Sequence, residues 1–186
     1  MYSPSDDSIS ILNGLALVNS ERVISYKKVL QLLNADISLG KKNLKIRTII
    51  NNSLGDTAEY ANTLENIVLI EGGKKSQDGT VNAKLLELAN KIDSLFSGLF
   101  KKNILAACEA CEDLVQRAYE FALDQPLWEG PCKIVKEQQI ALQKYLADLK
   151  ALNNNLAPAI SGQENEPGNN LRTLNQPDEP IFMAAG

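Results

Sequence analysis

The sequence predicts an all-α protein, a ferritin-like antiparallel four-helix bundle with a helical crossover segment, and three observations support this. Apolar residues recur every three or four positions along several stretches, the spacing that puts them on one face of an α-helix. No alternating run of Val, Ile and Thr is long enough to predict a strand. Short loops inside the first and last helix pairs favour antiparallel neighbours, whereas a long crossover joins the two pairs.

The first two helices are predicted from long apolar stripes. The first covers residues 8–34, about seven turns, and the acidic and hydroxyl side chains at residues 6–8 suit its N-terminus. The second stripe runs from Ile46 to Val68 and stops at Gly72-Gly73. A glycine pair directly after an apolar stripe is typical of a helix C-terminus.

Three further helical segments follow. Thr80 is expected to cap a crossover helix over about residues 80–100. The fourth segment is predicted at roughly 102–124. The last begins at Gly130-Pro131, because proline is well tolerated in a first turn, and continues to about residue 152.

The composition changes after the last predicted helix. Residues 1–153 are predicted to form the bundle and residues 154–186 an extended or disordered tail, which holds four of the seven prolines. The tail closes with the apolar stretch PIFMAAG. Two interpretations stay open, because this stretch can pack on its own domain or can dock on a protein partner.

Charge and residue usage exclude several functions. The chain has no histidine, which removes Ser-His-Asp and Cys-His catalysis and zinc sites with imidazole ligands. A net charge of −4 disfavours nucleic acid and anionic membranes as partners. The acidic N-terminus does not resemble a signal peptide, and three cysteines form no disulfide framework. The resulting expectation is a cytoplasmic protein that has no cofactor and is not an enzyme.

The stretch CEACED, residues 108–113, concentrates the residues that could carry chemistry. Cys108 and Cys111 fall within about 40° of the centre of the apolar stripe, so both are expected in the core. Their C-x-x-C lies in mid-helix, unlike a redox motif at a helix N-terminus. Glu112 lies on the shoulder of the stripe, about 80° from its centre, whereas Glu109 is expected to face water or a neighbouring subunit.

Two amides stand in the middle of apolar stripes. Asn19 does so in the first helix and Gln138 in the last. A buried amide without partners costs about 1–3 kcal/mol, so each needs hydrogen bonds. We predict one interhelical network of these two residues with Tyr26, Glu112 and Tyr119. Such a network can fix helix register or line a small polar pocket.

A metal site is the weaker chemical hypothesis. A ferritin-like di-iron site needs Glu-x-x-His on two helices, which this chain cannot supply. Carboxylates alone can still bind a hard cation, and Glu65, Glu112 and Glu137 are the candidates. Glu21 points away from its stripe and is not a candidate.

The chain resembles the bacterial ferritin-like four-helix-bundle family of unknown function over roughly residues 8–152. Three stretches carry the resemblance: LNGLALVNSERVISYKKVL (12–30), GGKKSQDGTVNAKL (72–85) and ILAACEACEDLVQRAYEFAL (104–123). Gln138 falls on the family's glutamine in the last helix. The resemblance implies an architecture more firmly than a function, since the family has no established activity.

This chain departs from the family at three positions. Leu86 and Leu146 stand where relatives carry histidine, and Cys111 replaces the glycine of Glu-x-Gly-Glu-Asp. These residues are compatible with helices, but they weaken any metal role. The sequence therefore predicts a non-enzymatic bundle that forms a homo-oligomer or binds a protein partner through its tail. The alternative is a degenerate ferritin-like protein that binds a metal through carboxylates only.

Overall fold

A computed structural model describes residues 6–35, 41–98 and 104–154. The all-α prediction is confirmed, since 85% of this part of the chain is helical and it contains no strand. The five helices are α1 (Asp6–Asn34), α2 (Lys41–Ile70), α3 (Ala83–Leu95), α4 (Ile104–Leu123) and α5 (Glu129–Asn154). Apart from Asn154, which closes α5, the predicted tail lies outside the described residues.

The end of α2 has the geometry that its glycine pair predicts. Gly72 adopts a φ of +80°, a left-handed conformation that costs glycine little. The Gly73 N–H donates to the Val68 carbonyl at 2.8 Å, and the Gly72 N–H donates to the Leu69 carbonyl at 3.1 Å. These two bonds form a Schellman motif, which satisfies carbonyls at the helix end and turns the chain away.

The start of α3 differs from the prediction. Asn82, not Thr80, is the N-cap, and its side chain accepts hydrogen bonds from the backbone N–H groups of Lys84 and Leu85. Thr80 instead belongs to the preceding loop, where its carbonyl accepts a hydrogen bond from Asn13 Nδ2 at 3.1 Å. Because the buried Asn13 amide holds this loop against α1, the crossover helix begins three residues later than expected.

Contacts between side chains give the direction of each helix. α1 is antiparallel to α4, since Asn19 contacts Tyr119 while Tyr26 contacts Glu112 one to two turns away. α4 is antiparallel to α5, because Tyr119 contacts Gln138 while residues 109 and 153 meet near the opposite ends.

The second helix completes the arrangement. α2 is antiparallel to α1, because Arg22 contacts Thr57 whereas Asn13 contacts the loop after α2. It also packs on α5, where the Tyr145 hydroxyl donates to the Asp56 carboxylate. The core lies between these four helices and extends beneath α3. None of the described helices has the length and apolarity needed to cross a membrane.

The crossover helix α3 packs against α1 and α4. A Cβ added at Gly14 would lie 2.5 Å from Leu85 Cβ, so glycine permits a close approach of α1 and α3. Further along, the ring of Tyr26 meets Phe96 edge to face at 6.2 Å. α1 is therefore covered on more than one side, which explains why so many of its residues are buried.

Candidate functional site

A group of polar side chains crosses the interior between the long helices. We call it the buried polar layer, and its members are Asn19, Arg22, Tyr26, Thr57, Glu112, Tyr119 and Gln138. None of these residues exposes more than 5% of its surface. They come from α1, α2, α4 and α5, so the layer ties the four long helices together.

One half of the layer, the ionic cluster, surrounds the carboxylate of Glu112. Arg22 Nε donates to Glu112 Oε1 at 2.8 Å, and Arg22 Nη2 lies 2.7 Å from the same oxygen without the alignment of a hydrogen bond. The Tyr26 hydroxyl also donates to Oε1, and Arg22 Nη1 donates to Thr57 Oγ1. The guanidinium therefore links α1 to α2 and α4.

The other half is a neutral chain, the amide–phenol chain. Asn19 Nδ2 donates to the Tyr119 hydroxyl at 2.8 Å and to the Leu15 carbonyl at 2.9 Å. The Tyr119 hydroxyl donates to Gln138 Oε1 at 2.9 Å. The Tyr119 hydroxyl thus bridges Asn19 and Gln138, and the amide–phenol chain connects α1, α4 and α5.

The structure divides the five predicted network residues between these two halves. Asn19, Tyr119 and Gln138 share the amide–phenol chain, whereas Tyr26 and Glu112 belong to the ionic cluster. The predicted single network is thus two sets of hydrogen bonds, stacked along α1 and α4.

Sequence reasoning missed Arg22 and Thr57. The signal for Arg22 was its spacing, three residues after Asn19 and four before Tyr26, which places it on the same face of α1. An arginine in the middle of an apolar stripe, with an inward carboxylate available on another helix, is the pattern that predicts a buried ion pair.

Glu112 lies deeper than its predicted shoulder position. Its side chain is fully buried, because α4 contacts α1, α3 and α5 and therefore has a wider covered arc than one apolar stripe describes. Its second oxygen, Oε2, is buried and has no hydrogen-bond partner within the described residues. A buried acceptor without a donor costs about 1–3 kcal/mol, so the ion pair is not optimally satisfied.

The electrostatics of the ionic cluster keep its charges in place. Burial favours the neutral form of Arg22, but the neighbouring groups, with Glu112 contributing most, together outweigh burial and raise the pKa of the guanidinium above its ordinary value. Burial and Glu112 together raise the pKa of Tyr26, so this phenol stays protonated and remains a hydrogen-bond donor. The cluster is accordingly a fixed ion pair with a neutral phenol.

The two cysteines of CEACED are both fully buried and unpaired. Burial, reinforced by the negative charge of Glu112, raises the pKa of the Cys108 and Cys111 thiols. A thiol must ionise to act as a nucleophile or metal ligand. Both side chains therefore behave as small apolar residues that pack beside the ionic cluster.

The three carboxylates proposed as metal ligands occupy separate environments. Glu112 pairs with Arg22, and Glu65 pairs with Lys75 at 2.7 Å near the surface. Glu137 is exposed on α5. Within residues 6–35, 41–98 and 104–154, no three acidic or cysteine side chains form a group that could hold a metal ion.

Comparisons with family models, with curated proteins and with solved structures found no match to this chain.

Proposed function

We propose that this chain is a non-enzymatic ferritin-like four-helix-bundle protein that acts by self-association or by binding a protein partner. One observation carries the proposal. The inward carboxylate of the bundle, Glu112, is neutralised by the guanidinium of Arg22, with Nε and Nη2 at 2.8 and 2.7 Å from Oε1.

The packing of the helices supports the ferritin-like topology. α1 contacts α2 and α4, and α5 contacts the same two helices, so the four long helices surround one core. The directions are up for α1, down for α2 and α4, and up for α5. The crossover α3 returns the chain along α1, as Lys28 on α1 pairs with Asp93 near the end of α3 at 2.9 Å. A single long crossover between two antiparallel pairs is the connectivity of ferritin-like folds.

The internal ion pair supports the absence of metal chemistry. In ferritin-like di-iron proteins, inward glutamates from the helices surround the metal ions, which neutralise their charge. Here a side chain of the same protein supplies the positive charge. A second cation beside Glu112 would meet the repulsion of a guanidinium that stays charged under physiological conditions.

An interaction role is supported by apolar side chains on the surface. Ile70 exposes 81% of its surface, its neighbour Leu69 exposes 47%, and Leu44 and Ile140 expose 63% and 59%. Leu69 and Ile70 adjoin at the end of α2, directly before the Gly72 turn. Adjacent exposed apolar residues are commonly covered by another protein surface.

Metal analysis and mass measurement test the proposal together. We expect the purified full chain, incubated with ferrous iron under air, to bind no stoichiometric iron and to oxidise none above the buffer rate. We also expect light scattering after size exclusion to give the mass of a dimer or larger assembly. Ile70→Ser is expected to lower that mass, and the exposed Lys136→Ser serves as its control.

The alternative function makes the opposite prediction. A carboxylate-only metal protein would bind iron or manganese stoichiometrically and would lose it in Glu112→Gln but not in Glu109→Gln. That result would overturn the proposal, as would a strictly monomeric protein that captures no partner.

A further inference from the structure

A groove of about 480 Å³ runs along the surface between α3 and α4. Its floor is apolar and consists of Leu95, Ala110 and Leu114, all of them partly buried. Its rim carries two exposed cations, Lys91 from α3 and Arg117 from α4. We call this feature the α3–α4 groove, and it is suited to a short segment that combines apolar with acidic side chains.

The groove has an excess of unneutralised positive charge. Arg117 forms no ion pair with any described residue, whereas Lys91 Nζ binds the Glu87 carboxylate at 2.6 Å. The carboxylate in the groove, Asp113, is itself held by Lys150 of α5 at 3.1 Å. An incoming acidic side chain would therefore find Arg117 available.

The last described residues lie next to this groove. Asn153 Nδ2 donates to Glu109 Oε2 at 2.8 Å, so the end of α5 lies beside the first turns of α4. From Glu109 to Arg117 is about 12 Å along the helix, and one helix diameter across is about 10 Å. Residues 155–177 follow, and even a random coil of this length has an end-to-end distance of about 26 Å. The chain beyond residue 177 can therefore reach the groove.

The sequence beyond this point combines the two features that the groove needs. Asp178 and Glu179 are followed by one proline and then by the large apolar residues Ile181, Phe182 and Met183. Within 155–186 there are four acidic residues and one basic residue, Arg172, so the segment is acidic as a whole. Exposed together in water, the three apolar side chains would be a liability for association.

We propose that residues 178–183 of the same chain dock in the α3–α4 groove. The apolar side chains of Ile181, Phe182 and Met183 cover its floor, and the carboxylates of Asp178 and Glu179 approach Arg117. The biological meaning of this docking rests on the proposed interaction role. A partner that binds the groove must then displace residues 178–183. The docking itself is independent of whether Glu112 binds a metal.

Site-specific photocrosslinking on the full chain tests the docking. In Phe182→p-benzoylphenylalanine, irradiation of the dilute protein is expected to form a link within one chain. Peptide mapping is expected to place that link at Leu95, Ala110 or Leu114. A control that places the same photoreactive residue at Leu171, outside the docking segment, is expected to give a diffuse pattern.

Charge-reversal variants test the contribution of Arg117 to the docking. Arg117→Glu is expected to lower the yield of the link about two- to fivefold, the effect of losing one exposed ion pair. Adding Asp178→Lys and Glu179→Lys to this variant is expected to restore part of the yield. Lys136→Glu, which reverses an exposed charge on α5, is expected to change nothing.

Three results would overturn the proposal. The first is a link elsewhere on the helical core, and the second is a yield no higher than that of the Leu171 control. The third is a link to the groove of a second molecule, which would show that the segment of one molecule occupies the groove of another. Circular dichroism of each variant separates these results from unfolding. Iron binding in the earlier experiment would refute the non-enzymatic function without affecting this outcome.

Discussion

The two halves of the buried polar layer each join three helices through buried polar side chains, but they do so by different chemistry. The amide–phenol chain joins three helices through neutral groups, with bonds of 2.8 and 2.9 Å at the Tyr119 hydroxyl. The ionic cluster joins three helices through a guanidinium and a carboxylate that are both fully buried. Both halves link the same two helices, α1 and α4, at points about two turns apart along α4.

The two halves differ in the polar group that stays buried without a partner when one side chain is removed. A neutral hydrogen bond that is broken leaves one unsatisfied acceptor, at a cost of about 1–3 kcal/mol. A buried ion pair that is broken leaves an uncompensated charge, at a cost of about 3–5 kcal/mol. We therefore expect the ionic cluster to specify which helices assemble, whereas the amide–phenol chain adjusts their register.

The largest effect is expected from Glu112→Gln. This change keeps the shape of the side chain but leaves the Arg22 guanidinium without its counter-charge in the core. We predict that the free energy of unfolding falls by about 3–5 kcal/mol in urea denaturation. Glu109→Gln, one turn earlier and hydrogen-bonded to Asn153 at the surface, is the control and should cost less than about 1 kcal/mol. Equal losses in the two variants would contradict the distinction between the halves.

Alkaline pH is expected to destabilise the protein through the thiols beside the ionic cluster. The pKa values of Cys108 and Cys111 are raised in the folded state by burial and then by Glu112. Above the ordinary thiol pKa of about 8.5 the unfolded chain releases protons that the folded chain retains, so unfolding becomes more favourable. We predict a loss of about 1.4 kcal/mol per pH unit for each thiol above that value.

Urea denaturation between pH 7 and pH 10 checks this dependence. The stability should be constant with respect to these thiols below pH 8 and should fall as the pH rises toward 10. The double variant Cys108→Ala and Cys111→Ala, less stable at neutral pH, should lose most of the slope below pH 10. A slope that persists in this variant would assign the effect to other groups.

A smaller effect is expected from Tyr119→Phe. The change removes both hydrogen bonds of the phenol and leaves Gln138 Oε1 without this donor, while Asn19 keeps its bond to the Leu15 carbonyl. We predict a loss of about 1–3 kcal/mol with the helix content unchanged. Tyr145→Phe, whose hydroxyl binds Asp56 in a more exposed position, should cost less. Complete unfolding of Tyr119→Phe by circular dichroism would show that the neutral half is essential for folding.

The helices were predictable because each has a strong apolar stripe. The predicted first helix, 8–34, differs from α1 by two residues at its start, and the last apolar stripe ends within two residues of the end of α5. The start of α3 was not predictable from capping residues alone, since Thr80 and Asn82 are both good caps. The choice depends on a tertiary contact, the hydrogen bonds of the buried Asn13 amide to the loop.

The amide residues of the buried polar layer could be predicted from the sequence, whereas its buried arginine could not. Asn19 and Gln138 interrupt apolar stripes, which is a visible signal within one helix. Arg22 gives a weaker signal and was missed, because long cationic side chains seldom lie in a core. Glu21, which points away from the stripe and was not a metal candidate, is half-buried, and burial and Asp93 raise its pKa. The burial of Arg22 and the partial burial of Glu21 have the same origin, since α2, α3 and α4 all contact α1 and cover more than one of its faces.

The measurement that tests the central claim most directly is a double-mutant cycle on Arg22 and Glu112. The free energy of unfolding is measured for the native chain, Arg22→Met, Glu112→Leu and the double variant. If the guanidinium is the internal counter-charge of Glu112, each single change should cost about 3–5 kcal/mol and the double variant much less than their sum. Additive losses would contradict the account, because the two side chains would then contribute independently.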